Sequence, residues 1–301
     1  MPNDNEKKMV LKCIIDTMQL KISIYNFKDL SKITKENYSY ITPLGEKINK
    51  DGVFKILKFN PNKVNGFGML NSLKELKINL NKALDDMEVN NKKEININRV
   101  DIAIDNDLSF KTEKEFKFLL LIFELATFET ECINRWYTTN LDTLKNNTIF
   151  KKSRDIDVCF YNKEEESNGK HPYKSRMEWR FKRVSTLSYE KHLDKLIVDI
   201  KLLDEKIEGL EKAVSGRLIK LWREEKEELQ SFSEFVRKYK TYFYTINVLK
   251  MVYKESGLKG GYKGWLDNFR RANNGLIFYT KSDLEKFKKK MIKAIKTYKK
   301  S

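Results

Sequence analysis

Three stretches of this chain alternate apolar and polar residues at period two: residues 98–106 (NRVDIAIDN), DIDVCFYNKEE from Asp155, and KSRMEWRFKR from Lys174. Alternation rich in β-branched and aromatic residues predicts β-strands and assigns each side chain to a face. Val100, Ile102 and Ile104 lie opposite Arg99, Asp101, Ala103 and Asp105. Ile156, Val158 and Phe160 lie opposite Asp157, Cys159, Tyr161 and Lys163, and Met177, Trp179 and Phe181 opposite Arg176, Glu178, Arg180 and Lys182. Sharing one sheet, such strands bury one face as core and gather carboxylates, a tyrosine and several cations on the other.

The rest of the first half alternates short strands with two helices. VLKCIID from Val10 and VFKILKF from Val53 read as strands, with ITPLGEKINKDG between them and NPNKVNGFG after them as loops. Leu73, Leu76, Leu80, Ala83, Leu84 and Met87 recur at helical spacing. Thr112, as an N-cap with Glu115 three residues on, opens a second helix running through LLLIFELA, apolar nearly all round and expected to lie buried against the sheet. INRWYTT and NTIFKKS complete a strand-rich stretch. These elements predict an α+β domain over residues 9–184, an antiparallel-rich sheet with packed helices.

After Val184 the pattern becomes helical throughout. Leu193, Leu196, Ile200, Leu203, Ile207, Leu210 and Val214 form a heptad seam that slips to Leu218 and Leu221. Residues 185–230 are therefore a heptad-patterned helix, able to pair two chains as a homodimer, or a helical hairpin turning near Ser215 and Gly216. Residues 231–301 interleave aromatic and basic residues and end in a lysine-rich helix, which predicts a basic, α-helical DNA-binding region and makes the C-terminal part all-α. The SGLKGGYKGW segment suits a helix-turn-helix, although its glycines make a loose turn for that motif.

Charge narrows the function. The 301 residues carry a net charge of +17, and with a pI near 9.4 they favour a polyanionic partner, nucleic acid above all. Arg99, Lys259, Lys263, Arg270 and Arg271 are candidate DNA contacts. Cys13, Cys132 and Cys159 lack paired spacing, and with only His171 and His192, both read as ordinary surface residues, there is no zinc pattern. No apolar run approaches the roughly 18 residues that span a bilayer. A reducing cytoplasm fits.

The polar strand face carries the candidate chemistry. Asp101, mid-strand, and Asp105, about 13 Å further along it, can join Glu178 from another strand as hard oxygen ligands for Mg²⁺ or Mn²⁺. The alternative is a set of strand-face charges paired with Arg99, Arg176 and Arg180. Tyr161 falls on the same face, and a phenol needs a metal or cations to act as a nucleophile at neutral pH. Lys163, Arg176 and Arg180 can supply that charge and stabilise a phosphodiester in flight. Tyr137, in NRWYTT, is the rival nucleophile.

RVDIAID, followed about fifty residues later by CFYNKEEE and then by SRMEWRFKR, resembles the core motifs of the Rep_trans plasmid replication initiators, the replication initiation factors that include staphylococcal rolling-circle initiators and relaxases of some conjugative transposons. The resemblance covers roughly residues 95–184. It implies a metal-dependent DNA nickase with topoisomerase-like transesterase chemistry, in which Asp101 and Glu178 serve the ion. Tyr161 would form a 5′-phosphotyrosine and free a 3′-hydroxyl, with Arg176 and Arg180 on the phosphate. Origin DNA, single- and double-stranded, a host helicase and a second copy of the chain are the implied partners. An initiator that binds its origin without cutting, a relaxase for DNA transfer, and a two-metal nuclease forming no covalent adduct are the alternatives.

Overall fold

A computed structural model describes residues 10–34, 36–64, 70–128, 148–182, 184, 189–272 and 276–301. In chain order the elements are β1 (Leu11–Ser23), β2 (Ile41–Asn49), β3 (Gly52–Phe59), α1 (Leu73–Asp86), β4 (Asn96–Asn106), α2 (Glu113–Thr127), β5 (Thr148–Lys151), β6 (Ile156–Asn162), α3 (Lys163–Glu166), β7 (Ser175–Lys182), α4 (Tyr189–Lys201), α5 (Ile207–Glu225), α6 (Phe232–Lys238), α7 (Ile246–Glu255), α8 (Tyr262–Ala272) and α9 (Lys281–Lys300). They confirm the α+β class. The chain divides into two compact units, one drawn from segments 1–107, 147–200 and 289–301, the other from 108–146 and 201–288. These units are discontinuous in sequence, unlike the consecutive segments 9–184, 185–230 and 231–301 read from composition.

The first unit is built on a seven-stranded sheet in the order β2-β3-β1-β4-β7-β6-β5, with every neighbouring pair antiparallel. The central strands obey the alternation. Val100 pairs with Phe181 and Phe181 in turn with Ile156, Ile102 with Trp179 and Trp179 with Val158, and Ile104 with Met177 and Met177 with Phe160, so these side chains share one apolar face. Ile102, Ile104 and Met177 are fully buried there. α1 opens on Ser72, whose Oγ accepts a hydrogen bond from the Glu75 backbone N–H at 3.1 Å and buries Leu76, Leu80 and Ala83.

Several expectations are corrected. The expected loop ITPLGEKINKDG contains β2, because Pro43 and Gly45 sit at a bulge in an edge strand, where a missing donor and a positive φ are tolerated. Thr112 makes no side-chain cap; Glu115 reaches back instead to accept from the Ser109 N–H at 2.7 Å. α2 belongs to the helical unit rather than to the sheet. There Phe118 packs on Tyr279 and Phe287, with centroids 4.7 and 5.1 Å away.

The heptad stripe is spent inside the chain, since Leu193, Leu196, Ile200, Leu203, Ile207, Leu210 and Val214 are all buried. The helix breaks between α4 and α5, while Ser215 and Gly216, the expected turn, lie inside α5. Gly209 in α5 has a packing reason, because a Cβ there would meet the Phe128 ring at 2.8 Å. In the second unit Trp222, Phe232, Phe235, Tyr253 and Trp265 form a connected ring cluster. INRWYTT, including Tyr137, and Cys132 lie outside the described residues.

Candidate active site

The sheet register builds the polar face row by row. Asp101 pairs with Arg180 and then Asp157; Ala103 with Glu178 and then Cys159; Asp105 with Arg176 and then Tyr161. Residues facing each other across antiparallel strands share a face, and diagonal neighbours lie within reach of long side chains. This face is covered as well as the apolar one: Asp101, Asp105, Arg176 and Glu178 are at most 3% exposed.

Asp101, Glu178, Asp105 and Asp16 are each held by an arginine, while Asp157 pairs with Lys182 at 2.6 Å. Arg99 grips Asp101 in a fork, Nε to Oδ1 at 2.6 Å and Nη2 to Oδ2 at 2.7 Å. Arg180 donates from Nε to Glu178 Oε1 at 2.5 Å, and Glu178 Oε2 accepts from Tyr161 Oη at 3.3 Å. Arg176 uses Nε and Nη2 on Asp105, at 2.6 and 3.0 Å, and Nη1 on Asp16 at 2.5 Å. Both oxygens of Asp105 are thus taken by one buried guanidinium. Arg176 is enclosed between two carboxylates, so it holds the site together; Arg180, at 26% side-chain exposure, is freer to meet a phosphate.

Asp16 is the residue that sequence reasoning missed. β1 pairs Ile15 with Ile102 and Thr17 with Asp101, which leaves Asp16 as the extra residue of a bulge. A bulge breaks the alternation and re-aims a side chain. Asn62 Nδ2 braces it, donating to the carbonyls of Ile15 and Asp16, each at 3.4 Å. Thr17 Oγ1 donates to Asp16 Oδ2 at 3.1 Å. The only sequence signal was a carboxylate at the end of an apolar run.

The electrostatics mark a crowded acidic site. Burial pushes the Asp101 carboxyl above the usual range despite Arg99 and Arg180, and the charge of Asp16 adds to the shift. Burial likewise raises Glu178, with Asp101 and Asp16 contributing next. Asp16 moves the other way, because the charges of Arg176 and Lys163 and its hydrogen bonds outweigh its burial. Burial drives the Tyr161 phenol well above its ordinary value; Arg176 opposes this, and Glu178 and Asp16 reinforce it. Mutually destabilised carboxylates beside a tyrosine mark a functional-site candidate.

A cleft of about 800 Å³ opens beside the site, lined in part by Asp16, Lys63, Lys163, Lys170, His171 and Arg176. Lys163 pairs with Glu166, and its Nζ lies 5.6 Å from the Tyr161 ring centroid. His171, read from sequence as a surface residue, is instead half-buried, with Nε2 3.7 Å from Asp105 Oδ2. His192 is also half-buried, its ring 4.8 Å from that of Phe181.

The donor chemistry of Asp16, Asp101 and Glu178 suits a hard cation such as Mg²⁺ or Mn²⁺. In this arrangement, however, no three His, Cys, Asp or Glu side chains among the described residues form a ligand set. Oxygens of Asp101, Asp105 and Glu178 are engaged in separate bonds to Arg99, Arg176 and Arg180.

The structure thus gathers Arg99, Asp101, Asp105, Tyr161, Lys163, Arg176, Glu178 and Arg180 in the first unit. Lys259, Lys263, Arg270 and Arg271 belong to the second unit, exposed on α8 and the connection before it. That connection spans residues 256–261, with Gly257 and Gly260 at φ values of 75° and 123°, and is longer than the three- or four-residue turn of a helix-turn-helix. No described helix is long and apolar enough to cross a membrane.

No family model matches the chain, and no curated protein matches it. Among solved structures, the chain is similar to a rolling circle replication initiator protein from Geobacillus stearothermophilus, at 16% identity and a TM-score of 0.29, over 57% of this chain and 74% of that one.

Proposed function

We propose that this chain is a replication initiator of a plasmid or other mobile element, which binds its origin and nicks one DNA strand through Tyr161. The observation that carries the reading is the Tyr161 Oη–Glu178 Oε2 hydrogen bond of 3.3 Å in a site that also contains Asp16 and Asp101. The motif resemblance of residues 95–184 and the net charge of +17 support DNA as the substrate.

In the proposed step the Tyr161 proton passes to Glu178 Oε2, whose raised proton affinity makes it a stronger base than a free carboxylate. The phenolate oxygen attacks the scissile phosphorus and the bond to the 3′-oxygen breaks. That oxygen leaves with the electron pair and takes a proton from solvent, while the 5′-phosphate stays on the tyrosine. Arg180 and Lys163 stabilise charge on the phosphoryl oxygens. Arg176 positions Asp16 and Asp105. A divalent cation held by Asp16, Asp101 and Glu178 would supply Lewis-acid charge at the phosphate. Arg99, released from Asp101, would turn its charge toward the DNA. Asp105, with both oxygens bound by Arg176, is a support for the site rather than a ligand.

One observation favours a second reading: Asp16, Asp101, Asp105 and Glu178 are each already paired with an arginine, as in a purely structural network. Under it the chain binds origin DNA without cutting. Either role can involve recruiting a host helicase, and transfer of an element would use the same nicking step.

The test is a denaturing-gel assay of the purified chain with single-stranded and supercoiled origin DNA, with Mg²⁺, Mn²⁺ or EDTA. Wild type is compared with Tyr161→Phe, Tyr137→Phe, Glu178→Gln and Asp16→Asn. A metal-dependent nick with a protein-linked strand is expected, abolished in Tyr161→Phe and reduced at least a hundredfold in Asp16→Asn. Loss confined to Tyr137→Phe moves the nucleophile. Origin binding with no nick under any metal establishes the binding-only initiator.

A further inference from the structure

α9 carries an ordered row of lysines. Lys289, Lys293, Lys296 and Lys300 recur at spacings of four, three and four, which places them on one face of the helix. All four are exposed, and with Ile292 and Thr297 they line a shallow groove of about 400 Å³. They belong to the same compact unit. The inner side of the helix is fixed in place, since Met291, Ile295 and Tyr298 are at most 1% exposed.

Three lysines on one flank of α9 have carboxylate partners, Lys281 with Glu208 at 3.9 Å, Lys288 with Asp204 and Glu285, and Lys299 with Asp194, whereas for Lys286 and Lys290, exposed on the other flank, no ion pair is found among the described residues. For the four outward lysines, no ion pair is found among the described residues. The chain thus neutralises one flank of this helix and leaves a stripe of concentrated positive charge beside it. An entirely solvated stripe would gain by interspersed acids at i and i+4; none stand between Lys289 and Lys300, and Glu285, one turn before the stripe, is paired with Lys288.

We infer that this stripe is a sequence-independent contact for the phosphate backbone of double-stranded DNA, separate from the nicking site. The dimensions are compatible: from Lys289 to Lys300 eleven helical rises of 1.5 Å extend ~16.5 Å, a mean spacing of ~5.5 Å between charges, wide enough for each lysine to meet a different phosphate along a strand whose charges recur every 3.4 Å. The rival polyanion is an acidic membrane surface. An interfacial helix buries its apolar face in lipid, but Met291, Ile295 and Tyr298 are already committed to the chain's interior. No large exposed apolar side chain lies on α9. The choice of DNA as the polyanion rests on the proposed function; the charge stripe itself does not.

The test uses the full chain and a random-sequence 30-base-pair duplex, with fluorescence anisotropy over a NaCl series. Wild type is compared with a variant carrying Lys289→Gln, Lys293→Gln, Lys296→Gln and Lys300→Gln. A control of equal charge carries Lys28→Gln, Lys47→Gln, Lys50→Gln and Lys58→Gln, and circular dichroism checks folding. Loss of four phosphate contacts is expected to reduce the slope of log K against log salt by about 3 to 4 and to weaken binding more than tenfold at 50 mM salt, with the control retaining most of the wild-type slope. A slope change below one, or an equal loss in the control, overturns the stripe. So does binding by wild type to phosphatidylserine vesicles but not to duplex. Nicking of a short single-stranded oligonucleotide is measured on the same variants. Its persistence in the stripe variant separates the two roles, and its absence in wild type removes the nicking reading while leaving the duplex result to be judged alone.

Discussion

Arg176 should be the keystone of the site's stability, and replacing it by methionine tests this. Its guanidinium makes three charge-assisted bonds, two to Asp105 and one to Asp16. Asp16, at 24% side-chain exposure, can rehydrate when Arg176 is lost. Asp105, at 0%, cannot, and leaving a buried charge without its partner costs about 3–5 kcal/mol. For a unit of this size each kcal/mol lowers Tm by about 2–4 °C, so a fall on the order of 10 °C is expected at pH 8. His171 Nε2, 3.7 Å from Asp105 Oδ2, adds a pH signature. In the wild type burial lowers the His171 pKa, and Arg176 is among the groups that push it further down. Without Arg176 the imidazolium shares Asp105, among the described residues, only with Lys12, the partner of Asp105 across β1 and β4, and the folded-state pKa of His171 rises. A histidine with a raised folded pKa contributes stability that is present below its unfolded value and lost as pH rises through the folded one. The penalty in Arg176→Met should therefore shrink from pH 8 to pH 5.5. Urea unfolding followed by far-UV circular dichroism at both pH values measures it, alongside Arg176→Met combined with Asp105→Leu, which removes the orphaned charge. A loss below about 1 kcal/mol at pH 8, or a double variant no more stable than the single one, would refute the reasoning.

Three further outcomes follow from the same physics. Glu178 has its folded pKa raised by burial and its acidic neighbours, so its ionised form costs stability at pH 7; Glu178→Gln should stabilise the fold by about 1 kcal/mol while abolishing nicking, and a lowered Tm would contradict this. Lys117 is 2% exposed, donates to the Ile277 carbonyl at 2.7 Å, and is lowered by burial to about 7. The unfolded chain holds that proton to a higher pH, so stability should rise between about pH 7 and 10, and Lys117→Met should flatten that rise in a urea titration. Burial raises Cys13 and pushes Cys159 up to about 12; in a Cys132→Ser background neither should react with a thiol reagent at pH 8 until the chain is unfolded, and complete labelling of native protein within minutes would show otherwise.

The elements that sequence alone determined are those set by local periodicity. Val100, Ile102 and Ile104 face away from Asp101 and Asp105 because strand side chains alternate, and that pattern survives in any register. The same logic identified β6, β7 and α1, and placed Tyr161, Glu178 and Asp101 on a common polar face. Charge, being additive, was legible without coordinates. Tertiary structure decided everything that depends on which distant residues meet. Register put Tyr161 opposite Arg176 and diagonal to Glu178, and an unforeseeable bulge turned Asp16 into their site. β2 became a strand because β3 offered it an edge, against the local preference of Pro43 and Gly45. The heptad stripe carried the period of a helix pair but not the identity of what would cover it. Burial within this chain settled that, since hydrophobic attraction is non-directional and takes whichever apolar surface the fold brings near.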